Sequence, residues 1–433
     1  MSTILENTVK KTSYRLIPFM LTLYILSFLD RSNIGFAKAA YQLDTGIGDE
    51  AYAFGAGIFF VAYAFLGVPA NLMMRKIGAR TWIGATTIVW AILSAGMAFA
   101  DTETKFLTIR VLLGAAEAGF FPGMIYLTSQ WFPEKNRASI MGLFYMGAPL
   151  ALSLGSPLSG ALLEMHGFMG HPGWFWMFII EGGLALLAGF FTFTYLDNSP
   201  QEARFLTQEE KQQLIEQLAT EDKVKTTSSL KGALSNFRVW HLALVYMIIQ
   251  ISVYGLTFFL PTQVAALLGT TVGFKASLIA GIPWVAALIG TYYIPRYADK
   301  TGNRIGIAAI TLFLAGIGIG SSALASGDPV VAIVALCFAA MGFIAVQPIF
   351  WTIPSSLLSG SALAGGIGFI NMFGAFGGFL APNIKVHADK LFNSPMGGLL
   401  TLGTITVIGA LAILALRQAS KTGAKTMDRA KVQ

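Results

Sequence analysis

Apolar residues along this chain fall into long, nearly unbroken runs separated by short polar stretches. A helix needs about 20 residues to cross hydrocarbon. Cut at that length, the runs predict twelve spans: 16–39, 52–73, 81–100, 106–131, 138–162, 174–196, 239–263, 275–296, 305–325, 330–354, 361–384 and 397–416. Most connections are short. One, from Asp197 to Arg238, is long and divides the spans six and six. The pattern predicts an all-α membrane protein of twelve transmembrane helices in two pseudo-symmetric halves. The halves are 1–196 and 239–433, joined by a 197–238 linker and ending in a basic tail. Within the linker, Thr207-Gln-Glu-Glu210 has the form of a capping box ahead of a narrow Leu214/Leu218 stripe. It predicts a short amphipathic helix on the cytoplasmic membrane surface.

The halves repeat. Lys76-Ile-Gly78-Ala-Arg80 follows span 2, and Lys300-Thr-Gly302-Asn-Arg304 follows span 8, an offset of 224 residues. Pro157 and Pro382 lie 225 apart, and Gly119-Phe in span 4 is echoed by Gly342-Phe in span 10. Duplicated halves place a solute site between them near the bilayer midplane.

Composition fits this reading. The chain is 55% hydrophobic and only 12% charged, with 47 glycines that suit close helix packing. Soluble domains carry about 25% charged residues. The single cysteine, Cys337, excludes an internal disulfide and a cysteine-built metal cluster, and four scattered histidines offer no ligand spacing. The first apolar run continues past Asp30 and Arg31 without a small-residue cleavage site, so it reads as a retained span.

A net charge of +7 raises the question of nucleic acid. Its placement answers differently. With the N-terminus in the cytoplasm, 22 of the 29 Lys and Arg residues fall in cytoplasmic segments and 5 in outer ones, while Arg31 and Arg110 stay within spans. That asymmetry is the positive-inside signal. It predicts both termini in the cytoplasm and no nucleic-acid partner.

Charged groups inside spans cost about 2.5–3.5 kcal/mol each on the insertion scale and so mark function or pairing. Five occur: Asp30 and Arg31 in span 1, Arg110 and Glu117 in span 4, and Glu181 in span 6. A rise of about 1.5 Å per residue puts Asp30 past mid-span and Glu117 near the midplane. Arg110, Gly114 and Glu117 share one helical face. Adjacent Asp30 and Arg31 point about 100° apart, so one can face a cavity while the other turns to a neighbouring helix. Two guanidiniums can hold a carboxylate through paired hydrogen bonds. Two carboxylates that feel both burial and nearby arginines can take and release protons. The same groups could instead form an ion-pair lock between spans 1 and 4. Glu181 reads as structural, bonding to a neighbouring helix. Tyr63, Gln250, Tyr254, Gln347, Trp351 and Asn371 are polar or aromatic positions that could complete a site for a hydroxylated anion. No nucleophile elbow, phosphate loop or histidine pair appears, so neither an enzyme nor a bound cofactor is expected.

These residues carry a resemblance. Phe28-Leu-Asp30-Arg31-Ser-Asn33, Ala115-Ala-Glu117-Ala-Gly-Phe-Phe-Pro122, Gln130-Trp-Phe-Pro133 with Arg137, Trp176-Met-Phe-Ile-Ile-Glu181 and Gly368-Phe-Ile-Asn371 together resemble the major facilitator superfamily over nearly the whole chain. Within it, they are similar to the anion:cation symporter family. The resemblance implies proton symport of organic anions by alternating access. Asp30 and Glu117 then couple protons, while Arg31, Arg110 and Tyr63 meet substrate. It also implies gate contacts at Arg80, Asp299 and Arg304, although Arg75 stands where the family's loop carries an acid, a position Asp299 keeps in the second half. The stretches from Gly119 to Pro133 and from Gly155 to Gly167 narrow the resemblance to sugar-acid transporters, and so imply a deoxy sugar acid such as L-rhamnonate. Galactonate, tartrate or glucarate transport, uncoupled exchange and, more distantly, drug export are the alternatives. The expected setting is a monomer in a bacterial inner membrane, with the bilayer and a small carboxylate as its partners.

Overall fold

The structure, a computed structural model, describes residues 3–222, 235, 237–325, 327–357 and 360–430. The linker positions Lys223, Lys225 and Lys231, counted above as cytoplasmic, lie outside them. Among the described residues, helices and three short 3-10 turns are the regular structure, with no strand.

The helices are α1 (Thr3–Thr45), α2 (Asp49–Ile77), α3 (Ala79–Gly96), α4 (Glu103–Glu117), α5 (Phe120–Trp131), α6 (Glu134–Tyr145), α7 (Gly147–Leu163), α8 (Gly173–Tyr195) and α9 (Gln208–Asp222). They continue as α10 (Phe237–Thr257), α11 (Leu260–Leu267), α12 (Phe274–Ala280), α13 (Ile282–Thr301), α14 (Arg304–Leu324), α15 (Pro329–Leu357), α16 (Gly360–Leu391) and α17 (Pro395–Ala430). Eleven candidate spans among the described residues are long and apolar enough to cross a membrane. The twelfth predicted span, 106–131, is present as α4 followed by α5.

That division has a covalent cause. Proline has no N–H to donate, and its ring clashes with the carbonyl four residues back. For Pro122 that residue is Ala118, where α4 gives way to α5. Pro149 likewise looks back to Tyr145 at the α6–α7 junction, Pro261 to Thr257 at the end of α10, and Pro283 to Ile279 beside the α12–α13 break. Four spans expected to be continuous are therefore interrupted. Pro18, Pro69, Pro157, Pro295 and Pro382 lie inside helices that continue through them.

Two compact units emerge. The first comprises residues 1–47 and 58–226, and the second 48–57 and 227–433. The start of α2 thus belongs with the second unit, where Glu50 pairs with Lys390 at 2.6 Å and Phe54 lies edge-on to Phe379 at 5.9 Å.

The loop repeat has a backbone reason. Gly78 and Gly302 sit at φ 93° and 68°, a region that side chains with a Cβ rarely enter. Beyond the glycine the two copies differ. Arg304 closes back on Asp299, with Nη2 at 2.7 Å from Oδ1. In the first copy, Arg80 is held through its backbone N–H to Asn198 Oδ1 at 3.0 Å. The predicted linker helix is α9. Its capping box forms as expected, with Thr207 N–H donating to Glu210 Oε2 at 2.7 Å and Glu210 N–H to Thr207 Oγ1 at 3.3 Å. Leu214 is buried and Lys11 of α1 donates to Glu210 at 3.0 Å, so α9 packs on protein within its unit.

Candidate functional site

The span 1 and span 4 charges are all buried within the first unit. Asp30, Arg31, Arg110 and Glu117 are 3%, 7%, 2% and 1% exposed. Arg31 donates from Nε to Glu117 Oε2 at 2.7 Å, and the Ser27 hydroxyl donates to the same oxygen at 3.0 Å. Ser27 is one turn before Arg31 on α1, so both donors rise from one face toward α4.

Aromatic rings line the cluster. The Arg31 guanidinium carbon lies 5.0 Å from the Tyr63 ring centre, 5.4 Å from Phe59 and 5.7 Å from Phe28. The Arg110 carbon lies 4.9 Å from Phe59. One phenylalanine therefore carries two guanidiniums, an attraction that strengthens away from water. Tyr63 stacks on Phe59 one turn away, at 6.0 Å between ring centres.

Close approach of α4 to α2 depends on Gly114. A Cβ there would lie 2.0 Å from the Phe59 carbonyl oxygen. Only a bare backbone at this position lets α4 come so close to the α2 backbone at Phe59.

Asp30 does not join this face. Its Oδ1 accepts from Ser94 of α3 at 2.8 Å. The expected divergence of neighbouring Asp30 and Arg31 is realised, one toward α3 and the other toward α4. Glu181 of α8 accepts from Ser159 of α7 at 2.7 Å, the helix-to-helix bond anticipated for it.

In the second unit, Gln250 and Trp351 gather round Tyr246, which the sequence reading missed. Trp351 lies edge-on to Tyr246 at 4.9 Å, and Phe350 stacks on it at 5.1 Å. Glycines again allow this: a Cβ on Gly374 would meet the Tyr246 ring at 2.4 Å, and one on Gly377 the Met247 carbonyl at 2.3 Å. The Gln250 Oε1 and Trp351 Nε1 atoms are buried without a hydrogen-bond partner among the described residues. Tyr254 packs on Phe258 at 5.7 Å, and Gln347 bonds its own helix at Phe343 O, 3.4 Å away. Asn371 is half-buried, one turn from Gly374. A cavity of about 300 Å³ lies elsewhere in this unit, lined by Phe259, Gln263, Lys385 and Met396 among others, and takes in none of the residues singled out from sequence.

The family follows from comparison. The Major Facilitator Superfamily model matches residues 20–382. The chain belongs to the major facilitator superfamily. Among superfamily relatives, the inner membrane transport protein RhmT of Escherichia coli is 70% identical over 98% of both chains. A protein of Agrobacterium vitis, provisionally named a tartrate transporter, is 39% identical over 98% of each chain. A crystal structure of a bacterial homologue of the human lysosomal transporter Spinster superposes with a TM-score of 0.70 at 17% identity, covering 96% of both chains. The superfamily fold is thus this chain's fold, and the chain is a multi-pass membrane transporter rather than an enzyme.

Proposed function

We propose that this chain imports a small monocarboxylate sugar acid, with L-rhamnonate the first choice, together with protons by alternating access. The proposed setting is a bacterial inner membrane with both termini in the cytoplasm.

The observation that carries the reading is the charge of the Phe59 face. Two guanidiniums and one carboxylate meet there, an excess of one positive charge in a dry, aromatic-lined place. One substrate carboxylate neutralises it. Arg31 and Arg110 offer forked donors for that carboxylate. Glu117 shares Arg31 with the incoming anion, so substrate entry loosens its ion pair and favours a proton on it. Asp30, next in sequence to Arg31, is the second proton carrier. In the other unit, Gln250 and Trp351 offer an acceptor and a donor that suit sugar hydroxyls. The similarity to RhmT and to a protein named for tartrate supports a hydroxylated acid.

The test is competition in proteoliposomes. Labelled L-rhamnonate should exchange against unlabelled L-rhamnonate and, more weakly, against galactonate, tartrate or glucarate. Neutral rhamnose and lipophilic cations should not compete. Exchange of the cations alone would instead support a drug exporter.

A further inference from the structure

One helix of the second unit keeps an uncovered face. α13 turns Trp284 and Gly290 inward to α15: the Trp284 ring lies 6.1 Å from Phe343, and a Cβ on Gly290 would meet Met341 at 2.2 Å. The opposite side of α13 is exposed, and its chemistry changes in order along the axis. Ile282, Val285 and Ile289 come first, then Tyr292 and Tyr293, then Arg296, Tyr297 and Lys300. From Ile282 to Tyr293 the helix rises about 16 Å, at about 1.5 Å per residue. Half of a bilayer's hydrocarbon core is about 15 Å. The aliphatic stretch thus matches the acyl layer of one leaflet, and the tyrosines and cations fall at its headgroups.

The cations are arranged for an anion that the chain does not supply. Arg296 lies over the Tyr292 ring, 3.6 Å from its centre, and donates from Nη1 to the Tyr292 carbonyl at 2.6 Å. This pins the guanidinium back against the tyrosine layer. Lys300 follows one turn later on the same side, and like charges four apart on a helix repel. The acid between them in sequence, Asp299, is taken: its Oδ1 accepts from Arg304 Nε at 2.9 Å and lies 2.7 Å from Nη2. Among the described residues no carboxylate pairs with Arg296 or Lys300. Tyr293 and Tyr297, 64% and 61% exposed, stand on the same side of the helix.

We propose that this face of α13 binds an anionic phospholipid of the surrounding bilayer, with its phosphodiester held between Arg296 and Lys300. The acyl chains lie along Ile282, Val285 and Ile289, and the Tyr293 and Tyr297 hydroxyls donate to oxygens of the glycerol ester. A guanidinium is a forked and weakly hydrated partner for phosphate. An anion between the two cations also removes their repulsion. A zwitterionic lipid brings a cation of its own into the same space, so the anionic headgroup is preferred. The inference goes beyond the transport reading and depends on neither the substrate nor the coupling ion.

Native mass spectrometry of the full-length protein in detergent tests it, with phosphatidylglycerol and phosphatidylcholine of the same acyl chains as probes. The wild type should retain phosphatidylglycerol in preference. Each basic residue near an anionic lipid is worth about fivefold in affinity, so Arg296→Gln/Lys300→Gln should lose roughly twenty-five-fold. Lys10→Gln/Lys76→Gln removes two exposed cations elsewhere and should lose about twofold at most. If the first double variant does not fold, Arg296→Gln alone should lose about fivefold. Equal retention of the two lipids by the wild type overturns the proposal, as does a loss in the Arg296 variants no larger than in the control pair. A wild-type dimer that Arg296→Gln/Lys300→Gln turns into a monomer, with lipid preference unchanged, also overturns it, by giving the face to a second copy of the chain.

Discussion

Arg31 and Glu117 meet at 2.7 Å with side chains 8% and 1% exposed, and Ser27 adds a second donor to the same carboxylate oxygen. Breaking a buried pair from one side strands a charge, at a cost of about 3–5 kcal/mol. Glu117→Ala should therefore lower thermal stability in detergent markedly. Glu117→Gln, which keeps an oxygen to accept from Arg31 and Ser27, should lose less. Equal melting temperatures for wild type and Glu117→Ala would remove the pair from the account of stability.

Arg110 lies over Phe59 at 4.9 Å and is 2% exposed. Lysine keeps the charge but has neither the planar fork nor the flat face that stacks. Arg110→Lys should fold, by its size-exclusion profile, and lose most transport, on the order of tenfold or more in rate at fixed anion concentration. Near-normal uptake would make Arg110 a packing residue.

Gly114 tests the geometry without touching a charge. A Cβ there would fall 2.0 Å from backbone, which cannot yield as a flexible side chain would. Overpacking of this kind costs about 1–3 kcal/mol or more. Gly114→Ala should reduce both stability and transport. Gly183→Ala, where nothing lies within 4 Å, is the matched control and should change neither. The measurement is folded yield and uptake for the two variants side by side.

Much of this was legible in the sequence, because hydrophobic length and buried charge are both strong signals in a membrane. The twelve runs, the Thr207–Glu210 capping box and the shared face of Arg110, Gly114 and Glu117 could be read from spacing alone. The breaks beside Pro122, Pro149, Pro261 and Pro283 had a visible cause, yet apolar content runs unbroken through them and reads as continuous helix. Partner choice was not legible. Whether Arg31 takes Glu117 and Asp30 takes Ser94 depends on the rotation of α1 between α3 and α4. Serines carry no signal that separates a hydroxyl aimed at a carboxylate from one that caps its own helix. Tyr246 was missed for a similar reason, since one tyrosine in an apolar run looks like packing until Gly374 and Gly377 bring α16 against it.

The linker gives a pH effect outside the membrane. Slight burial pushes the Glu210 carboxyl up, but the Thr207 amide and the Lys11 ammonium outweigh it and hold the group below its ordinary value. A depressed carboxylate contributes stability above its unfolded pKa and loses it as pH falls through the lower folded value. The contact is partly exposed, so the effect is small and salt-sensitive. The attachment of α9 to α1 should hold at neutral pH and weaken only in acid. Glu210→Gln should show the weakened state at neutral pH, as faster amide hydrogen exchange across residues 208–222. Equal exchange in the two proteins would contradict this.

The central claim is that a monocarboxylate and protons cross together. Purified protein in proteoliposomes at equal internal and external pH should take up labelled L-rhamnonate only to equilibrium, whereas an acid-outside step should drive it above the external concentration. Collapse of the step with a protonophore should release the excess. Uptake that stays at equilibrium with or without the step, and ignores the protonophore, would contradict the account directly, and would leave a facilitator or exchanger built on the same buried arginines.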